Sequence, residues 1–149
     1  MAESPRGYAV RVDISAELAR VWRALTVSAH MKRWCSENSQ IAAREGGSFR
    51  ASLDRHKEMQ AHIDIFEPMR RLRLIHMPEP GIESSESAIV DELFIEERDG
   101  ETIVRALGSG FLRSPHYDAL MRQYQAGWRL ALARLKVYLE KRLDEAPPK

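Results

Sequence analysis

The chain has 149 residues and a formal net charge of +1, with 30% charged residues and 44% in the hydrophobic set. This balance excludes a general nucleic-acid binder, which needs a strongly basic face, and the length suits one domain, residues 1–149, with its own core. The chain has a single cysteine, Cys35, which cannot form an internal disulfide, and it lacks an apolar run as long as a signal peptide or a membrane span. We therefore expect a cytoplasmic protein without membrane insertion.

The first third of the chain predicts a strand followed by two short helices. Residues 1–6 are polar and are expected to form a loose tail. From Tyr8 the letters YAVRVDI alternate between apolar and polar, which indicates a half-buried strand. Ser15 is the predicted N-cap of a helix with apolar residues at helical spacing as far as Leu25, and a second helix is expected over residues 28–34.

The middle of the chain predicts a meander of antiparallel strands separated by turn residues. Glycines mark two reversals, one at residues 45–47 and one at residues 99–100, where the dipeptide is Asp-Gly. Residues 78–87 are rich in Pro, Glu, Gly and Ser and lack periodicity, so we expect a loop there. The predicted strands cover residues 41–44, 49–53, 57–66, 71–77, 88–96 and 101–109.

Residues 116–143 predict one long helix, followed by a loose polar tail at residues 144–149. One face of this helix is apolar and aromatic, and two interpretations stay open for its first half: ordinary core packing, or the lining of a ligand pocket. Leu132, Leu135 and Leu139 are expected to close the far end as core. The residues of the apolar face are Tyr117, Met121, Tyr124, Trp128, Ala131, Leu135 and Tyr138.

This order of elements predicts an α+β fold. A curved antiparallel sheet of about six to seven strands would wrap around the long C-terminal helix, and two short helices would follow the first strand. Only the last helix is long enough to cover the sheet. A sheet that grips one helix in this way often leaves a gap between the two, so we expect a binding site there.

Several segments of the sequence, in their order and spacing, resemble a known family. They are ISAELARVWRALTVSAHMKRW, EGGSFR, IFEPMRRLRL, GSGF and HYDALMRQYQAGWRLALARLKVYLE. Over about residues 8–140 they resemble the activator of heat-shock-protein-ninety ATPase homologue family, within the START-like superfamily, also called SRPBCC or Bet v 1-like. The resemblance implies a helix-grip fold around an elongated hydrophobic cavity, in a stand-alone protein of the bacterial type.

The resemblance leaves the ligand open. Members of the superfamily bind lipids, hormones or polyketides, some cyclise polyketides, and the name-giving proteins stimulate a chaperone ATPase. This chain has Trp34-Cys35 where many relatives have two tryptophans, and Arg113-Ser114-Pro115 where many have one. Both departures fall near the expected mouth of the cavity, so the identity of the ligand is not carried over.

Three polar residues share strand faces with apolar ones. His76 continues the face of Leu72 and Leu74, and Asp91 also falls on an apolar face. Burying either group without a partner would cost about 1–3 kcal/mol, so inward side chains would need each other, a water or a ligand; the alternative is that twist or a bulge turns them to solvent. Arg105 would favour an anionic ligand group if it faced the cavity, and would be a solvated cation if it faced outward.

Our leading prediction is a binding protein and not an enzyme, which takes a small hydrophobic or aromatic molecule between the sheet and the last helix. The alternative is a polyketide cyclase or hydrolase-like enzyme that uses His76, Asp91 or Arg105 as acid, base or oxyanion partner, and a chaperone-interacting role is third. We expect a homodimer, no cofactor and no metal, because the five histidines lack metal-ligand spacing. Trp34 either gates the pocket or packs in the core. The predicted ligand-binding residues are Trp34, Phe49, His76, Asp91, Arg105, Phe111, Tyr117, Met121, Tyr124 and Trp128.

Overall fold

The computed structural model describes residues 6–54, 58–78 and 88–145. In chain order, the elements are β1 (Arg6–Ile14), α1 (Leu18–Thr26), α2 (Ser28–Trp34), β2 (Gln40–Ile41), β3 (Ser48–Ser52), β4 (Glu58–Glu67), β5 (Arg71–His76), β6 (Val90–Arg98), β7 (Glu101–Phe111) and α3 (Pro115–Glu140). Within the described ranges, the strands form a curved antiparallel sheet in the order β1-β7-β6-β5-β4-β3-β2, and α3 packs against it. The predicted α+β class, a sheet wrapped around the last helix, is confirmed.

The alternation of side chains along each strand decides which face of the sheet is buried. In β4, Met59, Ala61 and Ile63 are buried, while the residues between them are exposed or half-buried. One face of a pleated strand therefore supplies the core and the other meets solvent. Helix α3 covers the inner face with the buried residues Tyr117, Leu120, Tyr124, Gly127, Trp128, Ala131, Leu132, Leu135, Tyr138 and Leu139.

Helix α3 starts at Pro115 for local reasons. The side-chain oxygen of Ser114 accepts a hydrogen bond of 3.2 Å from the backbone N–H of Tyr117, and proline is favoured in the first turn, where its missing N–H would have no helical partner. The buried face is turned slightly from the predicted one, since Leu120 is buried and Met121 is half-buried. None of the helices in the described ranges has the length and hydropathy needed to cross a membrane.

The middle of α3 lies very close to the sheet. A Cβ atom on Gly127 would stand 2.8 Å from the Cβ of Leu53, which follows β3. The absence of a side chain at Gly127 therefore sets how near the helix can approach the strands. Beyond this point Leu132, Leu135 and Leu139 are fully buried and form core, as the sequence predicts for the far end of the helix.

Some boundaries differ from the predicted ones. Helix α1 begins at Leu18 without a side-chain cap, and the predicted N-cap, Ser15, instead donates its backbone N–H to Glu140 Oε2 at 2.8 Å. Arg6 and Asp144, both assigned to loose tails, are tied to the fold: Arg6 begins β1 and pairs with Asp118, and Asp144 binds Arg20 at 2.7 Å.

The turns follow the prediction more closely than the strand ends do. Asp99 and Gly100 have φ angles of 52° and 83°, as expected for the Asp-Gly hairpin. Strand β2 has only two residues and ends at Ile41, so the predicted strand over 41–44 is wrong in extent. Most of the predicted loop at 78–87 lies outside the described residues.

The close approach at Gly127 predicts the effect of one substitution. Gly127→Ala should cost about 2–3 kcal/mol through overlap with Leu53, because the new methyl group would meet the Cβ of Leu53 and not the flexible end of its side chain. The better helix propensity of alanine, about 1 kcal/mol, offsets only part of that loss. Urea unfolding should show a lower free energy of unfolding, while Arg129→Ala on the exposed face should stay within about 0.5 kcal/mol of the parent protein. A Gly127→Ala variant as stable as the parent would contradict the close packing.

Candidate functional site: a buried Tyr8–Asp91–His76 cluster

Three polar side chains meet on the inner face at one end of the sheet. In the strand register, Tyr8 of β1 faces Gly108 of β7, and Gly108 faces Asp91 of β6. His76 is the last residue of β5, and its backbone N–H bonds to the carbonyl of Ile89 at 2.9 Å, just before β6 begins. The antiparallel register therefore brings side chains from β1, β5 and β6 together.

Gly108 makes this arrangement possible. Neighbouring strands lie about 4.8 Å apart, so Tyr8 has to reach across β7, about 9.6 Å in strand spacing, to meet β6. A Cβ atom on Gly108 would overlap the ring of Tyr8, which shows that the ring lies directly over this glycine. The Tyr8 hydroxyl can then donate a hydrogen bond to Asp91 Oδ1.

The carboxylate of Asp91 is the centre of the cluster. Its side chain is 0% exposed, and Oδ2 lies 2.6 Å from Nε2 of His76, whose residue exposure is 7%. A carboxylate oxygen accepts hydrogen bonds, so we assign His76 Nε2 as the donor in this contact. His76 and Asp91 thus face inward and partner each other, which is the first of the two alternatives that the sequence leaves open.

The Tyr8 hydroxyl is held in its protonated form. Burial raises the pKa of Tyr8 well above its usual value of 10.0, and the negative charge of Asp91 and the hydrogen bond to it raise the pKa further. Loss of the phenol proton would place a second negative charge beside the carboxylate of Asp91 in the same low-dielectric space. Tyr8 therefore acts as a hydrogen-bond donor at any physiological pH.

Aromatic rings enclose the cluster from the helix side. The ring of Tyr124 packs edge-on against His76 with centroids 5.0 Å apart, and Phe111 lies 5.8 Å from Tyr8 and 6.4 Å from Tyr124. Trp128 follows Tyr124 by one helical turn on the buried face of α3. The site is thus mostly apolar with a few placed polar groups, the usual composition of a small-molecule site.

The indole of Trp128 supplies an unused donor. Trp128 is 1% exposed, and its Nε1 has no hydrogen-bond partner in the described structure. The indole comes near enough to the Tyr8 hydroxyl to lower the pKa of Tyr8 against the larger effects of burial and Asp91, but it makes no hydrogen bond of acceptable geometry there. Buried donors without partners are rare, and each one calls for an explanation.

Most of the predicted site residues lie on this inner surface. His76, Asp91, Phe111, Tyr124 and Trp128 come together around the cluster, as the distances above show. Other predicted residues lie further along the same surface. Phe49 shares a row with Ala61 and His76 across β3, β4 and β5, Tyr117 is buried near the start of α3, and Met121 is half-buried against the core.

Arg105 lies on the outer face, the second of the two alternatives that the sequence leaves open, so it drops out of the predicted ligand-binding residues. The inward positions of β7 are Thr102, Val104, Ala106 and Gly108, so Arg105 points to the outer face and forms an ion pair with Glu96 at 2.6 Å. The sequence pattern misled because Ile103, an outer-face neighbour of Arg105, is also buried. The apolar character of Ile103, two positions before Arg105, therefore does not identify the inner face of β7.

Trp34 packs away from the cluster. Its ring is buried, and its indole N–H donates to the carbonyl of Ala24 at 2.8 Å, so the side chain fastens α2 to α1. This contact favours packing over gating, the second of the two roles that the sequence leaves open. Trp34 also lines a groove of about 390 Å³ on the outer surface between α2 and α3, together with Leu130 and Val137.

Two residues of the cluster were missed in the site prediction. Tyr8 appears in the sequence as the first inward residue of β1, and a tyrosine on a core face is a signal, because its hydroxyl needs a partner when buried. Gly108 looks like an ordinary strand-end glycine. Its role depends on which residues stand opposite it in two other strands, which no local pattern reveals.

Other groups give weaker indications of chemistry. Burial raises the pKa of the Cys35 thiol, so Cys35 is held as a packed thiol and not as a thiolate nucleophile. Among the residues that the structure describes, no three His, Cys, Asp or Glu side chains form a group able to hold a metal ion.

Comparison with known proteins agrees with the resemblance found in the sequence. The family model described as activator of Hsp90 ATPase homolog 1-like protein matches residues 15–140. Among curated proteins, none matches the sequence of this chain at a significant level.

Several solved structures share the fold. MLL2253 from Mesorhizobium loti is 20% identical, with a TM-score of 0.77 over 91% of this chain and 98% of that one. The Aha1 dimer from Colwellia psychrerythraea is 18% identical, with a TM-score of 0.74 over 91% and 96% of the two chains. DynU16, described as a protein in the dynemicin biosynthetic locus, is 22% identical, with a TM-score of 0.70 over 90% of this chain but only 47% of its own length.

The hydrogen bond from Tyr8 predicts a specific loss of stability. Tyr8→Phe keeps the ring but leaves Asp91 Oδ1 without this donor, so the free energy of unfolding should fall by about 1–3 kcal/mol. Tyr117→Phe is the matched control, since it also removes a phenol oxygen from a buried residue on the inner surface but leaves the cluster intact. Urea unfolding of both variants measures the difference, and equal losses would contradict a special role for the Tyr8 hydroxyl.

The position of the Tyr8 ring predicts a coupling with Gly108. Gly108→Ala should destabilise the protein by about 1–3 kcal/mol, because the new methyl group pushes the ring away from Asp91. In a Tyr8→Ala background the same change should cost much less, since the ring is gone. A double-mutant cycle from urea unfolding tests this, and additive losses would show that the ring does not lie over Gly108.

Proposed function

Because this chain belongs to the family of activator of Hsp90 ATPase homolog 1-like proteins, we propose that it binds a small, largely hydrophobic molecule between the inner face of the sheet and α3. The observation that carries the proposal is the buried Tyr8–Asp91–His76 cluster inside a wall of aromatic rings. A core that served only for packing would gain little from a buried carboxylate, because apolar side chains of similar volume fill such a space at least as well.

In this proposal the ligand enters at the end of the sheet where the cluster lies. Strands β5 and β7 both end here, β1 and β6 begin here, and α3 starts from the same end. Two apolar residues just past the strand ends are exposed: Met77 after β5 at 55% and Leu112 after β7 at 42%. They give this end an apolar rim, and a molecule that enters past it meets His76 and Phe111 first.

Binding requires side chains to move, since the cluster residues are closed off from solvent in this structure. Met121 on α3 is suited to such movement. It is half-buried against the core, and methionine has three flexible torsions and a polarisable sulfur that adapt to the shape of a partner. The ligand would thus select an open form of the site that is less populated without it.

A second candidate function is catalysis, a polyketide cyclase or hydrolase-like reaction, and the contact between His76 and Asp91 favours it. A carboxylate that holds one nitrogen of a histidine orients the ring, so that Nδ1 is the atom able to exchange a proton with a substrate. The similar protein DynU16 is described as lying in a biosynthetic locus. Arg105 has no part in this proposal, because it lies on the outer face.

Three further expectations remain proposals. Homodimerisation is supported by the description of the similar Aha1 from Colwellia psychrerythraea as a dimer. Contact with a chaperone rests on the name of the family and takes third place among the functions. Cytoplasmic location stays a prediction from the sequence.

Native mass spectrometry tests the proposal directly. The purified protein, incubated with mixed lipid and aromatic extracts, should retain a small molecule, and His76→Ala should retain less of it. Arg105→Ala, on the outer face, is the matched control and should retain as much as the parent protein. Failure of the parent protein to retain any compound would contradict binding. A retained compound whose mass changes with time, with the change lost in His76→Gln, would favour the enzymatic alternative.

A further inference from the structure

One buried hydrogen-bond donor at the cluster has no partner. Both carboxylate oxygens of Asp91 already accept a hydrogen bond, Oδ1 from the Tyr8 hydroxyl and Oδ2 from His76 Nε2. Trp128 Nε1 is a further donor, fully enclosed and without an acceptor. The indole N–H of Trp128 is therefore a group that an acceptor on a ligand can satisfy.

The unpartnered indole N–H of Trp128 lies on the α3 side of the cluster, where we propose that the ligand binds. Trp128 lies on α3, one turn after Tyr124, whose ring packs against His76. Trp128 is buried in the same core as Tyr8, Tyr124 and Phe111, and its indole acts on the pKa of the Tyr8 hydroxyl. An indole N–H can only donate, so only a group with an accepting atom satisfies it.

We infer that the molecule bound here carries a neutral hydrogen-bond acceptor, such as the carbonyl oxygen of a ketone or ester, which accepts the hydrogen bond of Trp128 Nε1. This inference rests on the proposed function and adds the chemical class of the ligand to it. A buried donor left without a partner costs free energy, and an acceptor from the ligand removes that cost on binding.

Asp91 decides that the acceptor is neutral. Its negative charge is buried within the same cluster and is already strong enough to raise the pKa of Tyr8. A carboxylate or phenolate on the ligand would add a second negative charge in a space of low dielectric constant, and Arg105, which could have offset it, lies on the outer face. The site should therefore reject anionic ligands of the same shape.

Three naphthalene compounds of nearly equal shape test this inference: 2-acetylnaphthalene has a neutral acceptor, 2-ethylnaphthalene has none, and 2-naphthoate is an anion. Equilibrium dialysis measures the Kd of each. The acetyl compound should bind roughly 2- to 10-fold more tightly than the ethyl compound, as one neutral hydrogen bond allows, and the naphthoate should bind most weakly.

Two variants assign the preference to its source. Trp128→Phe should bind the acetyl and ethyl compounds with about equal affinity, because the indole donor is gone. Trp34→Phe removes an indole that donates to Ala24 and lies outside the cluster, so this control should keep the preference. Asp91→Asn keeps the shape and removes the charge, so it should reduce the penalty against 2-naphthoate.

A measurement on the parent protein avoids any dependence on the folding of Trp128→Phe. In the ¹⁵N-labelled protein, the indole N–H resonance of Trp128 should shift downfield with 2-acetylnaphthalene and not with 2-ethylnaphthalene. Equal affinities for these two compounds in the parent protein would overturn the inference while leaving the proposed function intact. Tightest binding of 2-naphthoate would overturn the neutral character of the acceptor. Failure of all three compounds to bind would overturn the proposed function itself.

Discussion

A carboxylate without any exposure to solvent has to be held by donors from the protein, and at Asp91 this requirement ties together three strands. Its donors come from Tyr8 at one edge of the sheet and from His76 on the other side of β6. Removing either donor leaves a buried charge without one of its partners. The free-energy cost of that loss is far larger than the net stabilisation that the pair provides. The contacts of Asp91 therefore favour the register in which β1, β5 and β6 bring these three side chains together.

The two faces of the sheet use their charges differently. On the outer face, Arg73 pairs with Asp64 and Arg105 with Glu96, and these arginines lower the pKa of both carboxyl groups. Water screens such half-exposed pairs, so they contribute little to stability. On the inner face, the buried carboxylate of Asp91 lies in an apolar layer, where orientation is fixed and water is excluded. The proposal of ligand recognition rests on the inner arrangement.

The sequence was sufficient for the architecture and for part of the site. Alternation along the strands put His76 and Asp91 on the same strand faces as apolar residues and left open whether they point inward, while helical spacing identified Tyr124 and Trp128, because these patterns are local. Tyr8 and Gly108 act through the pairing of three strands, which depends on register and not on local spacing. The orientation of Arg105 stayed open in the sequence because the buried Ile103 makes the outer face of β7 look apolar.

A crystal structure of the protein with 2-acetylnaphthalene is the most direct test of the account as a whole. We predict that the naphthalene rings lie against Phe111 and Tyr124, with the ketone oxygen within hydrogen-bond distance of Trp128 Nε1 and the Tyr8–Asp91–His76 contacts preserved. Density for the compound only in the outer groove between α2 and α3, with the cluster still closed, would contradict the claim that the cluster is the binding site.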